Sequence, residues 1–372
     1  MLIYVIEILM LWVFNLICFH AKEIPINRKK LFLFLSITML TIVLGLRGNS
    51  TGEDTMHYVT VFYQSDVVPW NTIFRSRNFR TAYITYPTGY TDTIENGILI
   101  LGKIVHIFTN NPQVFLFIIS AITMGFLAKF IYEESIDVFM STYILTCESI
   151  YMFAFNGARQ SMALAISINS FTQIKKKHYI KAILLILAGA FFHNSALIYF
   201  LMFPIMLFSP KNSNKTYKRF KWILGGLICI PFSLPIAESF VVKFLPRYIS
   251  YFTNPDDFWT AQLGGPTILL ILELILIIYM YRMKFKIKYA YEYSVFTPLF
   301  IVFFMIGTRL GGIERLALYF RAFLILFYPI AIASLNSKKY KKFLIYGVYI
   351  LMSLFFLSYA GQETRIYQFL LK

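Results

Sequence analysis

Apolar runs of bilayer length recur along this chain, and short clusters of charge separate them. A membrane-crossing helix needs ~20 mostly apolar residues. Runs near that length cover 1–19, 31–46, 114–130, 138–155, 161–174, 222–240, 267–281, 295–308, 316–335 and 343–359. The stretch 180–208 is different. As one span it would carry Lys211, Lys215, Lys218, Arg219 and Lys221 to the side opposite the other lysine clusters. Broken at Phe192-His193-Asn194 it becomes a hairpin of two short helices entering from one side. Non-helical backbone at that depth is tolerated only inside protein or beside a water-filled cavity. The pattern predicts an all-α polytopic membrane protein of about ten to twelve transmembrane helices, a broken or re-entrant hairpin at 180–208 included, in a single transmembrane domain over 1–372. The first run has no basic leading region and no small-residue cleavage site, so it reads as a retained span.

The longest polar interruption is 47–96, an extracytoplasmic loop in this topology, with Arg75, Arg77, Arg80, Tyr83, Tyr86 and Tyr90. Ser50-x-x-Glu53 and Thr51-x-x-Asp54 resemble capping boxes. They predict a short helix starting there, with Asp54, Tyr58 and Val61 on one face. The segment 97–109 is short and interrupted by Lys103 and His106, which suits a helix lying in the interface.

Composition rules out an ordinary soluble enzyme: 58% of residues are hydrophobic, 14% charged, and mean hydropathy is +0.64. The net charge of +17 would suit nucleic acid, but the basic residues lie between apolar spans, the pattern of cytoplasmic loops beside anionic lipid. No nucleic-acid partner is expected; membrane lipid is. Cys18, Cys147 and Cys229 are isolated, and there is no CxxC, HExxH or phosphate-binding glycine loop, so neither metal, cofactor nor disulfide framework is expected.

The topology sorts the two basic residue types. Of 22 lysines, 19 fall on the cytoplasmic side or its edge; of 13 arginines, ten fall toward the outer side, all but Arg28, Arg219 and Arg282. Lysine suffices for topology. Arginine grips a phosphate or carboxylate in two places and stays charged when partly desolvated, so an outer anionic ligand is indicated.

Arg159 and Gln160 stand at the mouth of an apolar helix in Phe155-Asn-Gly-Ala-Arg-Gln-Ser-Met-Ala-Leu-Ala165, where helix amides also favour an anion. Ala158, Ala163 and Ala165 would let other helices approach. Two further stretches are expected to converge on Arg159: Arg47 with Glu53, Asp54 and Tyr58, and His193 with Ser195. Glu314, Arg315 and Arg321 are added as binding candidates near the last outer loop. Asp54, Arg159 and His193 are the catalytic candidates, the carboxylate or imidazole as proton acceptor.

These stretches resemble the EpsG-type exopolysaccharide polymerases, similar in role to the Wzy polymerases of O-antigen and capsule. Leu46-Arg47…Gly52-Glu53-Asp54-Thr55…Tyr58…Phe62, the Arg159-Gln160 segment, Phe192-His-Asn-Ser-Ala-Leu-Ile198 and Glu314-Arg315…Tyr319-Phe320 follow the family's order. Glu53 stands where the family usually has Thr, and Glu95-Asn96-Gly97 where it tends to have Glu-Pro. The resemblance implies a GT-C-like, multi-pass, metal-independent enzyme of the bacterial cytoplasmic membrane with its active site facing outward. It would transfer a growing glycan, with inversion, from an undecaprenyl-pyrophosphate carrier onto another lipid-linked repeat unit, beside a flippase and a chain-length regulator. Two other readings fit a cationic membrane cavity. A flippase of lipid-linked oligosaccharide should show inverted repeats, and none is evident. An O-antigen ligase would differ in its acceptor.

Overall fold

The computed structural model describes residues 1–19, 26–74, 80–85, 91–207, 290–307, 314–335, 337–360 and 366–370, with isolated positions between 239 and 275. The runs expected at 222–240 and 267–281, and Arg75, Arg77, Arg247 and Arg309, lie outside these residues or among those isolated positions. Packing divides the chain into two compact units, 1–200 with 350–372, and 201–349.

The first unit opens with two helices, α1 (Leu2–Phe19) and α2 (Ile26–Gly45). The polar loop follows, holding α3 (Thr55–Val67), α4 (Trp70–Phe74) and two strands, β1 (Arg80–Thr85) and β2 (Thr91–Glu95). Then come α5 (Asn96–His106), α6 (Pro112–Glu134), α7 (Val138–Cys147), α8 (Ser149–Asn156), α9 (Ala158–Ile168), α10 (Ser170–Lys175) and α11 (Tyr179–Phe192). The second unit holds helices Met202–Leu207, Ala290–Gly307, Glu314–Arg321 and Leu324–Ala333, and Lys338–Ala360 begins in it. Rings stacked between Phe296 and Phe323 (4.2 Å) and between Phe303 and Phe320 (5.4 Å) fill its core.

Among the described residues, four helices are long and apolar enough to cross a membrane: Leu2–Phe19, Pro112–Glu134, Arg315–Ala333 and Lys338–Ser358. Counting α7 with α8 gives five. The described residues form an all-α membrane protein with one small β-hairpin, and the expected count of ten to twelve spans is not confirmed among them. The spanning helices carry the pattern expected beside lipid. On α1 Tyr4, Ile8 and Leu11 are buried while Leu2, Leu9 and Leu16 are exposed. Apolar residues on both faces are natural where the solvent is hydrocarbon.

Several expectations change. The stretch 138–155 is not one helix: α7 and α8 bend by 46° at Glu148. The helix expected from 161 begins at Ala158 and is interrupted at Asn169. The break at His193 is present: its backbone is extended, and a 3₁₀ helix, Asn194–Leu201, follows α11. In the polar loop β1 and β2 pair antiparallel, Arg80 opposite Glu95 and Thr85 opposite Thr91. Thr81, Thr85, Thr91 and Thr93 favour extended backbone, which suits that pairing. Neither capping box forms. The helix starts at Thr55, and Asp54 precedes it without a side-chain cap bond. Thr51 Oγ1 instead accepts from the backbone N–H of Gln368 at 2.6 Å, so the chain's last described segment takes the oxygen a capping box would use.

Close backbone approach brings distant stretches of sequence together. Gly189 of α11 lies where a Cβ would come within 2.7 Å of the Ala163 carbonyl on α9, so the small residues there do admit a near helix. Gly97 is equally tight against Phe191. Gly52 has φ +85, and a Cβ on it would stand 2.4 Å from the Phe155 carbonyl. Gly52→Ala is therefore expected to lower stability by about 1–3 kcal/mol or more, read as a lower thermal midpoint in detergent. Gly125→Ala, with nothing within 4 Å of the new methyl, should be neutral or stabilising by up to ~1 kcal/mol.

Candidate functional site

Within the first unit the helix ends are sorted by charge. α2 runs from Arg28, Lys29 and Lys30 toward Arg47, just past its end. α6 returns from Gln113, whose Nε2 donates to the Gly45 and Arg47 carbonyls at 2.7 and 3.2 Å, to Glu133 and Glu134. α9 and α10 run back from Arg159 to Lys175. At that far end Lys175 pairs with Glu134, Lys176 lies 3.6 Å from Glu133, and Lys30 lies over the Tyr132 ring. One end thus carries Lys30, Lys175 and Lys176 with Glu133 and Glu134, the other Arg47 and Arg159.

Arg159 sits in the first turn of α9, after Gly157. Its Nη1 meets Glu95 Oε2 at 2.5 Å, and the two side chains are 15% and 3% exposed. Its backbone N–H donates to the Tyr58 hydroxyl at 3.3 Å. Glu95 stands where β2 passes into α5, and Asn96 beside it donates from Nδ2 to the Ile73 carbonyl at 2.9 Å. Tyr58, Ile94, Ile98, Ala158 and Met162 join one buried cluster beneath the pair. Apolar packing of α3, α5 and α9 therefore sets the ion pair's position.

His57, next to Tyr58, feels both charges. Burial and the Arg159 guanidinium push its imidazole down to about 4, against an upward pull from Glu95. Burial likewise raises the Tyr58 phenol, with Arg159 opposing.

Arg47 is brought into the same unit but is fully buried. Its Nε donates to Thr55 Oγ1 at 3.0 Å and its Nη1 to the Leu44 carbonyl at 2.6 Å, with the guanidinium over the Phe155 ring. Burial lowers it to about 10, so it stays charged at neutral pH. The last described segment straps this loop: Arg47 bridges to Phe369, and Gly48 N–H donates to the Gln368 carbonyl at 2.6 Å.

The other sequence-derived candidates divide. Asp54 is half-buried at the start of α3, and Glu53 is exposed, its N–H donating to Asn156 Oδ1 at 3.2 Å. Gln160 is buried beside Arg159. His193 ends α11, with Nδ1 2.6 Å from Ser195 Oγ. Arg315 and Arg321 belong to the second unit: Arg315 is exposed, and Arg321 is buried with its guanidinium 5.0 Å from the Phe300 ring centre. The Glu314 side chain lies outside the described residues. Among the described residues no group of three His, Cys, Asp or Glu is placed to hold a metal ion.

Sequence reasoning missed three things here. Glu95 was noted only as a departure from a family pattern; a partner 64 residues away leaves no local signal. His57 was passed over within its own motif. Glu7 lies inside the first apolar run, and a carboxylate there is itself a signal; it is buried and accepts from the Tyr151 hydroxyl at 2.5 Å.

A model of one protein family, described as the EpsG family, matches residues 30–370. No curated protein and no solved structure matches.

The electrostatics of His57 give a prediction. A histidine in the unfolded chain protonates near 6.5, the folded one near 4, so between those values the unfolded state holds the extra proton. The His57 contribution is fully present above pH 6.5 and is lost as pH falls toward 4. In detergent, the thermal midpoint of His57→Gln should fall less than that of wild type between pH 6.5 and 4.5. Parallel curves would mean that the imidazole is solvated.

Proposed function

The chain belongs to the EpsG family, whose members are membrane-embedded exopolysaccharide polymerases, and we propose that it lengthens a glycan at the outer face of the bacterial cytoplasmic membrane. The donor is a growing chain on undecaprenyl pyrophosphate; the acceptor is the non-reducing end of another lipid-linked repeat unit. A flippase delivers those units and a chain-length regulator acts alongside.

The observation that carries this reading is Arg159, a partly exposed guanidinium at a helix N-terminus on the arginine end of the first unit. An acceptor hydroxyl attacks the anomeric carbon while the bond to the pyrophosphate oxygen breaks, and the electron pair leaves with that oxygen. Arg159 neutralises the charge that develops there. With arginine in that role the reading calls for no metal ion, and an α-linked donor gives inversion. The hydroxyl proton passes to a carboxylate or imidazole; Asp54 and His193 are the candidates that the sequence alone supplies. Buried Arg47 acts by holding the Arg47–Thr55 loop against Phe155. Gln160, Ser195, Tyr58, Glu53 and the second unit's Glu314, Arg315 and Arg321 are proposed to bind glycan or phosphate.

The test is the length distribution of surface polysaccharide in a deletion strain carrying wild type, Arg159→Ala or Arg159→Lys, with membrane levels matched. Wild type should restore long chains and Arg159→Ala should leave single repeat units, a loss of about 10²–10³ in elongation. Arg159→Lys should keep part of the activity, since lysine supplies charge without the fork. Wild-type behaviour in Arg159→Ala would make the residue structural. Repeat units trapped on the cytoplasmic side of the deletion strain would point to a flippase, and long chains that fail to reach their final acceptor to a ligase.

A further inference from the structure

Arg159 already has an anion. Its partner Glu95 is 3% exposed, the arginine 15%, at 2.5 Å. A pyrophosphate arriving at Arg159 competes with that carboxylate for the same guanidinium. Two anions close together repel, and a carboxylate left buried without its counter-ion is costly. The simplest relief is a proton. Because Arg159 is the more exposed partner, turning it outward also uncovers Glu95.

We propose that Glu95 is a catalytic residue: it holds Arg159 in the resting enzyme, yields it to the donor pyrophosphate, and takes the proton of the acceptor hydroxyl as the glycosidic bond forms. The inference rests on the polymerase reading above. The acceptor oxygen bonds to the anomeric carbon, its proton moves to a Glu95 oxygen, and the carbon–oxygen bond to pyrophosphate breaks with its electrons on the leaving group. When the lipid pyrophosphate departs, Arg159 returns and Glu95 releases the proton to water.

The surroundings suit this exchange. Glu95 lies where β2 meets α5, without a side-chain cap bond to the helix it begins. Tyr58, through its hydroxyl, accepts from the backbone N–H of Arg159 and also bonds the Arg159 side chain, so the helix end is held in place beside the exchanging guanidinium. His57 is close enough to feel both charges. Glu95 is the carboxylate in direct contact with the Arg159 guanidinium.

A merely structural ion pair and this exchange predict opposite binding effects, and the experiment reads both. Full-length protein in detergent is titrated with farnesyl pyrophosphate, a short prenyl pyrophosphate, and elongation is followed in the deletion strain. In Glu95→Gln the competing negative charge is gone. Farnesyl pyrophosphate should bind severalfold more tightly than to wild type while elongation falls about 100-fold or more, as for loss of a general base. Glu95→Asp, which keeps the carboxylate, should retain measurable elongation and covers the case in which Gln impairs folding. Arg159→Ala should lose the binding. Weaker binding in Glu95→Gln, or wild-type elongation by it, overturns the proposal. So does recovery of elongation by the swapped pair Glu95→Arg with Arg159→Glu, since only a structural bridge survives exchange of its ends. If wild type binds farnesyl pyrophosphate yet restores no long chains, the polymerase reading fails and this role with it; if Glu95→Gln alone elongates normally, the polymerase reading stands and only Glu95 is displaced.

Discussion

A charge inside an apolar bundle must be answered, and in this protein the packing of α3, α5 and α9 brings the answer to Arg159. Glu95 reaches it from the start of α5, 64 residues earlier in the chain, and Tyr58 reaches its backbone from α3. Losing one partner of such a buried pair costs about 3–5 kcal/mol. Replacing both by packed apolar side chains is often neutral or better, so stability alone gives no reason to retain the pair. The proposed exchange, in which a ligand displaces the carboxylate from the guanidinium, supplies such a reason.

Backbone approach does the rest of the positioning. With φ +85 and almost no room beside the Phe155 carbonyl, Gly52 lets the turn before α3 lie directly on the end of α8. Arg47 locks the same turn from within through Thr55 and the Leu44 carbonyl, and the segment 366–370 covers it through Thr51 and Gly48. Gly97 and Gly189 close α5 and α9 onto α11, which ends at His193. Stretches far apart in sequence are thus drawn to one end of the unit because each has a residue without a side chain at the point of contact.

How much of this was legible in the chain depends on the range of the signal. Apolar run length marks helices, and Arg159 and Lys175 mark the two ends of α9–α10, because each signal is written locally. The break at His193 was readable because an unbroken span would have carried five basic residues away from the side expected for the other lysine clusters. The bend at Glu148, the β-hairpin and the strap over Thr51 were not. The first depends on a buried carboxylate within an apolar run, the second on pairing across a polar loop, and the third on a hydrogen-bond acceptor claimed from 317 residues away. Local capping logic failed at Thr51 for that reason. Glu95 was invisible as a partner on the same ground: opposite charges at long separation carry no spacing rule.

On the proposed reading, an internal counter-ion also addresses a problem that any polymerase with a lipid pyrophosphate product must meet. A guanidinium open to the membrane surface would hold the released carrier as firmly as the incoming donor, and tight binding of ground states slows turnover rather than raising it. A carboxylate 2.5 Å away competes with both, and it opposes most usefully the released carrier, whose leaving oxygen carries the full charge. In the proposed exchange it also returns the arginine to a defined place after each addition, so that the next donor meets the same geometry as the last.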